Sequence, residues 1–351
     1  MDFAPKGVRF YYIYKALAHP ETNRFVTPFT LEERLMHVAE AKKRLGSQIS
    51  WLCDSMENDL KHTLGDAPNS EFIVGPDGKL VSVRQWSSPA ELREDLAALV
   101  GDVPSPTTVA DLNLPQMSPP KSAPTGIVPR VQTPGRMSPL IVTPLGLSKP
   151  NAQPFYAKLR AEADQGLLTS GQGMLYLGFF LDPLYEVHWN NEAAPVRIEI
   201  HAPEGVTLNK DYFEAPEIEV PADADPREFL VDVSGGDARP LRLTVWYFAC
   251  DDAETFCKPV KQEYEITLQR DRDGGNRRTA RPGSNNRRSP QLDANRARML
   301  QRLPLIRVLD TDADGEISAE EMSRATDSLL KMDANGDGSL SPFELRRDPI
   351  R

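Results

Sequence analysis

The stretch Asp310–Glu344 reads DTDADGEISAEEMSRATDSLLKMDANGDGSLSPFE, and its oxygen-bearing side chains return at fixed intervals. Asp310, Asp312, Asp314, Gly315, Ile317, Ser318 and Glu321 occupy positions 1, 3, 5, 6, 8, 9 and 12 of a first loop. Asp333, Asn335, Asp337, Gly338, Leu340, Ser341 and Glu344 repeat the pattern in a second. A calcium ion takes six to eight oxygens, and this spacing wraps a short loop around one ion. Side chains at 1, 3 and 5 supply oxygens, and glycine at 6 permits the sharp turn. The backbone carbonyls of Glu316 and Ser339 add one ligand each, and Ser318 and Ser341 act through water. Glu321 and Glu344 close the shell with two oxygens apiece. Two calcium ions are therefore expected.

The whole segment resembles the EF-hand family. The alternative is an acidic, solvated tail. Four ligand carboxylates in the first loop against three in the second, where Asn335 replaces an Asp, imply tighter binding by the first. Only residues 322–332 separate the loops. Met322, Ala325, Leu329 and Met332 share one helical face, so a single helix serves both loops. Pro304 shortens the helix entering the first. A compact calcium-stabilised module is expected rather than a sensor that opens a large groove.

Working outward, the 351 residues allow two or three domains. No apolar run reaches the ~18 residues of a membrane span, and MDFAPKGVRF is not a signal peptide. A net charge of −10 argues against nucleic acid as the main partner. Charge is segregated, however. Arg270–Arg298 holds nine Arg against three Asp among Gly, Asn, Ser and Pro, and reads as a solvated linker. Twelve of the 31 prolines fall between Pro104 and Pro154, a composition expected to hold no helix or central strand. The expected organisation is residues 1–102, a Pro-rich tether 103–154, a β body 155–270, a basic linker 271–296 and the calcium pair 297–351. The expected class is multidomain α+β.

In the first segment, VRFYYIY (Val8–Tyr14) reads as a strand. Thr30 and Glu33 form a capping box before a helix that Gly46 ends. Ile49–Cys53 is a second strand and Asn58–Leu64 a short helix. Glu71–Val74 and Leu80–Val83 flank the turn Pro76-Asp77-Gly78. Ser88, Pro89 and Glu91 start a last helix. YIYKALAHPE, FTLEERLMHVAEAKKRLG and NSEFIVGPDGKLV resemble the iodothyronine deiodinase-like branch of the thioredoxin superfamily. The resemblance implies an active-site role for His19 and a cis-proline at Pro68. It also implies a nucleophile-bearing strand–helix unit before Val8, where only MDFAPKG stands, so the thioredoxin-like α/β domain is incomplete. Without that strand two edges and an apolar face lack partners. A start placed too late, a partner strand from elsewhere and a rearranged sheet are the explanations, the first favoured. Cys53 is the one thiol here, a small core residue or a redox group.

Residues 172–270 read as all-β. Val196, Ile198 and Ile200 alternate with charged residues, as do Leu241, Leu243, Val245 and Tyr247, and Tyr264, Ile266 and Leu268. An immunoglobulin-like sandwich is expected. Cys250 and Cys257 bracket DDAETF, so two strands joined by that loop bring the sulfurs together. VWYFACDDAETFCKPVKQEYEI and YEVHWNNEAAPVRIEI resemble the amino-terminal periplasmic domain of membrane thiol:disulfide interchange proteins. The resemblance implies a cycling dithiol at Cys250 and Cys257 with a thiol or disulfide protein as partner. A static clip and a zinc site are the other readings.

A cysteine pair with calcium loops points to an oxidising, calcium-rich compartment outside the cytoplasm. Two functions follow: a calcium-binding protein with thiol–disulfide oxidoreductase chemistry, or a non-enzymatic calcium-stabilised interaction protein with a static disulfide. Neither names a substrate.

Overall fold

The structure is a computed structural model. It describes residues 1–21, 25–108, 110–112, 123–147, 153–236, 239–276, 308–309, 311, 321, 323–337 and 339–341. The chain forms two compact units, Met1–Arg278 and Thr279–Arg351. The fold mixes helix and sheet, with far more sheet than helix among the described residues. No described helix is long and apolar enough to cross a membrane.

The first unit begins with β1 (Tyr11–Tyr14), α1 (Leu31–Leu45), β2 (Ser50–Cys53) and α2 (Asp59–Leu64). It continues with β3 (Glu71–Val74), β4 (Leu80–Arg84) and α3 (Pro89–Val100). Helix α1 starts where its orphan N–H groups find acceptors. Glu33 N donates to Thr30 Oγ1 at 3.1 Å, and Phe29 N donates to Glu33 Oε2 at 2.7 Å. Gly46, at φ 57°, takes the left-handed turn that ends it. Glycine serves the hairpin likewise: Gly78 has φ 79°, and Gly75 N donates to Lys79 O at 2.8 Å.

The strands do not join into one thioredoxin-like sheet. β1 pairs with β2 in parallel, β3 pairs with β4 antiparallel, and the two pairs are separate sheets. Several of their apolar side chains stay in solvent, with Tyr11 52% exposed, Val74 58% and Val83 52%, while Ile73 is buried. The expected cis-proline is also corrected, because no described peptide bond is cis. The trans form is the cheaper one for an X–Pro bond.

The larger part of this unit is antiparallel sheet. Its strands are β5 (Ser138–Leu145), β6 (Ala157–Ala163), β7 (Gly173–Leu181), β8 (Val187–Asn190), β9 (Arg197–His201) and β10 (Thr207–Leu208). The rest are β11 (Tyr212–Glu214), β12 (Ala222–Asp223), β13 (Arg227–Ser234), β14 (Leu241–Asp251) and β15 (Cys257–Arg270), and α4 (Gln165–Ser170) sits between β6 and β7. The hydrogen-bonded order is β10-β13-β7-β6-β5-β15-β14-β8-β12, with β9 on β14 and β11 on β9. The two halves fold over one core. Ala157 N donates to Tyr247 Oη at 3.1 Å, Tyr264 Oη donates to Ala157 O at 2.9 Å, and Phe179 packs edge-on against Tyr264. Leu175, Leu177, Ile198, Leu243 and Ile266 are all buried in this core.

One expectation about the proline-rich stretch is overturned. β5 lies inside it and is the strand that joins the two halves, pairing with β6 through Ser138 and Pro139 and with β15 from Leu140 to Leu145. Because β5 changes partner part-way, much of its length has a free edge. Prolines 139 and 144 therefore leave few ladder bonds unmade. Residues before it lie along the sheet. Gly126, Ile127 and Val128 donate their N–H groups to the Asp225 carboxylate at 2.6, 2.5 and 2.8 Å, and Arg130 forks onto Glu228 at 2.7 and 2.6 Å.

The same unit packs helix α1 against the sheet. Along β6, Ala157, Leu159, Ala161 and Ala163 enter the core, while Lys158, Arg160 and Glu162 are buried on the other face. Lys158 Nζ donates to Glu33, and Tyr185 Oη donates to Glu33 Oε1 at 2.9 Å. Arg160 reaches Glu21 at 3.1 Å and the Gly274 carbonyl at 2.7 Å.

Candidate functional site

In the second unit, α5 (Ala325–Leu330) lies between the two loops. Ser328 and Met332 are buried, Ala325 and Leu329 half-buried, and the side chain of Met322 lies outside the described residues. Of the first loop's expected ligands, Glu321 is described, whereas Asp310, Asp312, Asp314, Glu316 and Ser318 lie outside the described residues, as does Glu344 of the second. Glu321 is 7% exposed, and its Oε1 accepts from Thr311 N at 2.6 Å and Thr311 Oγ1 at 3.0 Å. The residue at position 12 thus closes over the beginning of its own loop.

The second loop is tied by its own oxygens. Asp333 Oδ1 accepts from Gly336 N at 2.7 Å, Asn335 Oδ1 accepts from Asp337 N at 3.0 Å, and Asp337 Oδ1 accepts from Ser339 N at 2.8 Å. Asn335 Nδ2 donates to Asp337 Oδ2 at 2.9 Å, and Gly336 takes φ 73°. Two carboxylates and one amide oxygen therefore turn toward the same stretch of backbone. That hard-oxygen donor set suits calcium far better than zinc or copper. Ser341 is exposed. Among the described residues no three His, Cys, Asp or Glu side chains gather as a metal-holding group.

In the first unit, Cys250 and Cys257 form a disulfide at the end of the β14–β15 hairpin, where they are directly opposed. Cys250 is 7% exposed, whereas Cys257 is exposed to solvent. The intervening turn is built by Asp251, whose carboxylate accepts from Thr255 N at 2.7 Å, Thr255 Oγ1 at 2.6 Å and Phe256 N at 2.8 Å. Those bonds, that of the Thr255 hydroxyl first, hold its carboxyl below the usual range. Asn190 Nδ2 donates to Cys257 Sγ at 3.3 Å. Asn190 also lines a cleft of about 300 Å³ with Trp189, Ala215, Arg227 and Phe248.

The other candidates are not gathered around this disulfide. Cys53 ends β2, half-buried, with its thiol donating to Asp54 O at 3.5 Å, and burial raises its pKa above that of a free thiol. It is a poor nucleophile in that setting. His19 is exposed, and its Nδ1 lies 3.2 Å from the Asn276 carbonyl.

Two groups of side chains escaped the sequence reading. Beneath α1, Glu33, Lys158, Asp182 and Tyr185 form a buried cluster, with His37 Nδ1 2.9 Å from Tyr14 Oη beside it. Burial pushes Asp182 up to about 6, His37 down to about 4, and Lys158 below its ordinary value. Near the disulfide, His188 Nδ1 lies 2.9 Å from Asp252 Oδ1. The helical capping box was a signal for Glu33, but nothing local marks Lys158 as its partner.

A family model described as EF hand matches residues 304–325 and 327–347. The chain therefore carries a C-terminal EF-hand pair. No curated protein matches the chain.

Proposed function

We propose that this chain is a calcium-binding, extracytoplasmic multidomain protein that also exchanges its Cys250–Cys257 disulfide with thiol partners. The observation that carries the calcium reading is the tandem EF-hand match over 304–325 and 327–347, with the oxygens of Asp333, Asn335 and Asp337 turned into one loop. Asp310, Asp312, Asp314, Glu316, Ser318 and Glu321 would hold one ion, and Asp333, Asn335, Asp337, Ser339, Ser341 and Glu344 the other. When bound, calcium neutralises carboxylates that otherwise repel one another across each loop. The shortness of α5, Ala325–Leu330, between the loops favours a stabilised module over a sensor. Calorimetric titration of the full chain with calcium tests this, two sites being expected. No heat beyond dilution would overturn it.

The exchange reading rests on a disulfide with one exposed sulfur at a hairpin end. It draws on the sequence resemblance of VWYFACDDAETFCKPVKQEYEI to the interchange domain and of the first segment to the deiodinase-like thioredoxin branch. The partner is a protein thiol or disulfide. A disulfide and calcium loops together favour an oxidising compartment. Incubation with reduced thioredoxin should open the bond in the folded chain. A bond that stays closed until the protein unfolds makes it a static clip, and the protein a calcium-stabilised interaction module.

A further inference from the structure

Three strands meet at the disulfide. Cys257 on β15 lies opposite Cys250 on β14, and Cys250 in turn lies opposite His188 on β8. Directly opposed residues of antiparallel strands share a face, with Cβ atoms about 4.5–5.5 Å apart. The row Cys257, Cys250, His188 therefore sets His188 on the same face as the disulfide, one strand over from the buried sulfur. Asp252, two residues beyond Cys250, turns back to hold that imidazole through Nδ1 at 2.9 Å. Its own position is fixed by its N–H, which donates to Glu186 O at 2.7 Å. Both side chains of the pair are 17% exposed, so solvent screens them little. With Nδ1 committed to the carboxylate, Nε2 is the nitrogen left for a sulfur.

Other charged groups around the row are engaged elsewhere. Asp251 is bound by Thr255 and Phe256, and Lys258 lies over the Tyr156 and Phe256 rings. Asp223, on β12, is paired with Arg227, and Glu186 precedes β8 with its side chain exposed. Asp252 is the carboxylate within bonding distance of His188.

Resting on the exchange reading, we infer that His188 is the acid that receives Cys250 as the leaving group, and that Asp252 is its positioning residue. A thiolate of a dithiol protein attacks the exposed Cys257 Sγ. A bond forms between the two sulfurs, the Cys250–Cys257 bond breaks, and its electron pair stays on Cys250 Sγ. The His188 imidazolium passes a proton to that thiolate, leaving Cys250 as a thiol and His188 neutral. The second thiolate of the dithiol then attacks its own partner sulfur in the mixed disulfide. Cys257 leaves as a thiolate facing the Asn190 amide, and solvent returns protons to Cys257 and His188. Two electrons have moved: the dithiol is oxidised to a disulfide, and Cys250 and Cys257 are reduced. The arrangement also sets direction, because the buried sulfur leaves and the exposed one is attacked.

The test uses the full chain in a Cys53→Ser background, with His188→Gln and the near-isosteric Asp252→Asn. Two quantities are read: the rate of disulfide opening by dithiothreitol across pH, and thiolate absorbance of the reduced protein. Before substitution, one thiol should ionise below the ~8.5 of a free cysteine. His188→Gln should raise that pKa by about one unit and slow opening at neutral pH about tenfold, with Asp252→Asn in between. A thiolate titration and pH profile unchanged in both variants would overturn the assignment and leave the pair as a structural tie. If the disulfide of the unsubstituted chain resists dithiothreitol while folded, the exchange reading itself fails, and the role of His188 with it.

Discussion

Lys158, the second residue of β6, donates a hydrogen bond to Glu33 of helix α1, with 2% and 5% of their side chains exposed. The same Glu33 accepts from Tyr185 Oη and from the Phe29 N–H that begins the helix. One carboxylate thus caps α1 and fastens it to the sheet. Lys158 Nζ also lies 4.8 Å from the centre of the Phe29 ring.

Removing the amine alone should be costly. Lys158→Met leaves Glu33 and Asp182 buried without their cation, a loss of about 3–5 kcal/mol for a broken buried pair. The double change Lys158→Met with Glu33→Gln should recover part of it, since Asp182 alone then stays buried without its cation. Urea unfolding of the parent, Lys158→Met, Glu33→Gln and the double variant, compared through a double-mutant cycle, checks both statements.

His37 predicts a pH dependence. Its side chain is 0% exposed, and burial pushes its pKa from 6.5 down to about 4. The unfolded chain therefore binds a proton that the folded chain refuses between those values. The stability this group confers is present above pH ~6.5 and is lost as pH falls toward ~4, by about 2 kcal/mol at pH 5. Asp182, raised to about 6, works in the opposite sense, because its neutral form suits the fold and its contribution is lost as pH rises. Asp182 is common to His37→Phe and the parent chain, so the difference between their unfolding curves at pH 7.5 and pH 5 isolates the imidazole. The variant should lose less on acidification.

The calcium loops should be distinguishable. With four ligand carboxylates against three, the first should bind more tightly. Glu321→Gln should remove the stronger calorimetric step and Glu344→Gln the weaker, each lowering affinity by about tenfold or more. Calcium at ~100 times the dissociation constant should stabilise the second unit by about 2.7 kcal/mol. Equal steps, or loss of the weaker step from Glu321→Gln, would contradict the ranking.

The disulfide closes a short loop, with a sequence separation of 7. Chain entropy alone gives such a loop about 2.5 kcal/mol. Cys250→Ala with Cys257→Ala should therefore lower the unfolding free energy by roughly that amount while leaving far-UV circular dichroism unchanged. The sheet core below the hairpin, with Leu243, Val245 and Tyr247 buried, does not depend on the bond.

Features held by neighbours in the chain were legible. The Thr30–Glu33 capping box, the Gly75–Lys79 turn and the alternation along β14 and β15 each depend on contacts a few residues long or on a fixed period. The cysteine pair belongs to this class too, because a six-residue turn returns the chain to the opposite strand. The calcium loops are the extreme case, since all twelve positions of each lie in one run.

What was not legible depends on partners far away in the chain. The alternation of Lys158, Arg160 and Glu162 with small apolar residues is the pattern of a strand with one wet face. Yet that face is covered by α1 and the loops around Glu21 and Gly274. Prolines 139 and 144 argue against a central strand, and only the change of partner along β5 makes room for them. The pairing of His188 with Asp252 crosses 64 residues, and nothing at either position announces the other. By itself the sequence determined the local elements, the calcium loops and the place of the disulfide, because short-range geometry and donor chemistry suffice for those. Only the tertiary structure decided which polar residues are buried, which strand joins the halves of the sheet, and which histidine lies opposite Cys250. Each of those follows from surfaces that meet only when the chain closes on itself.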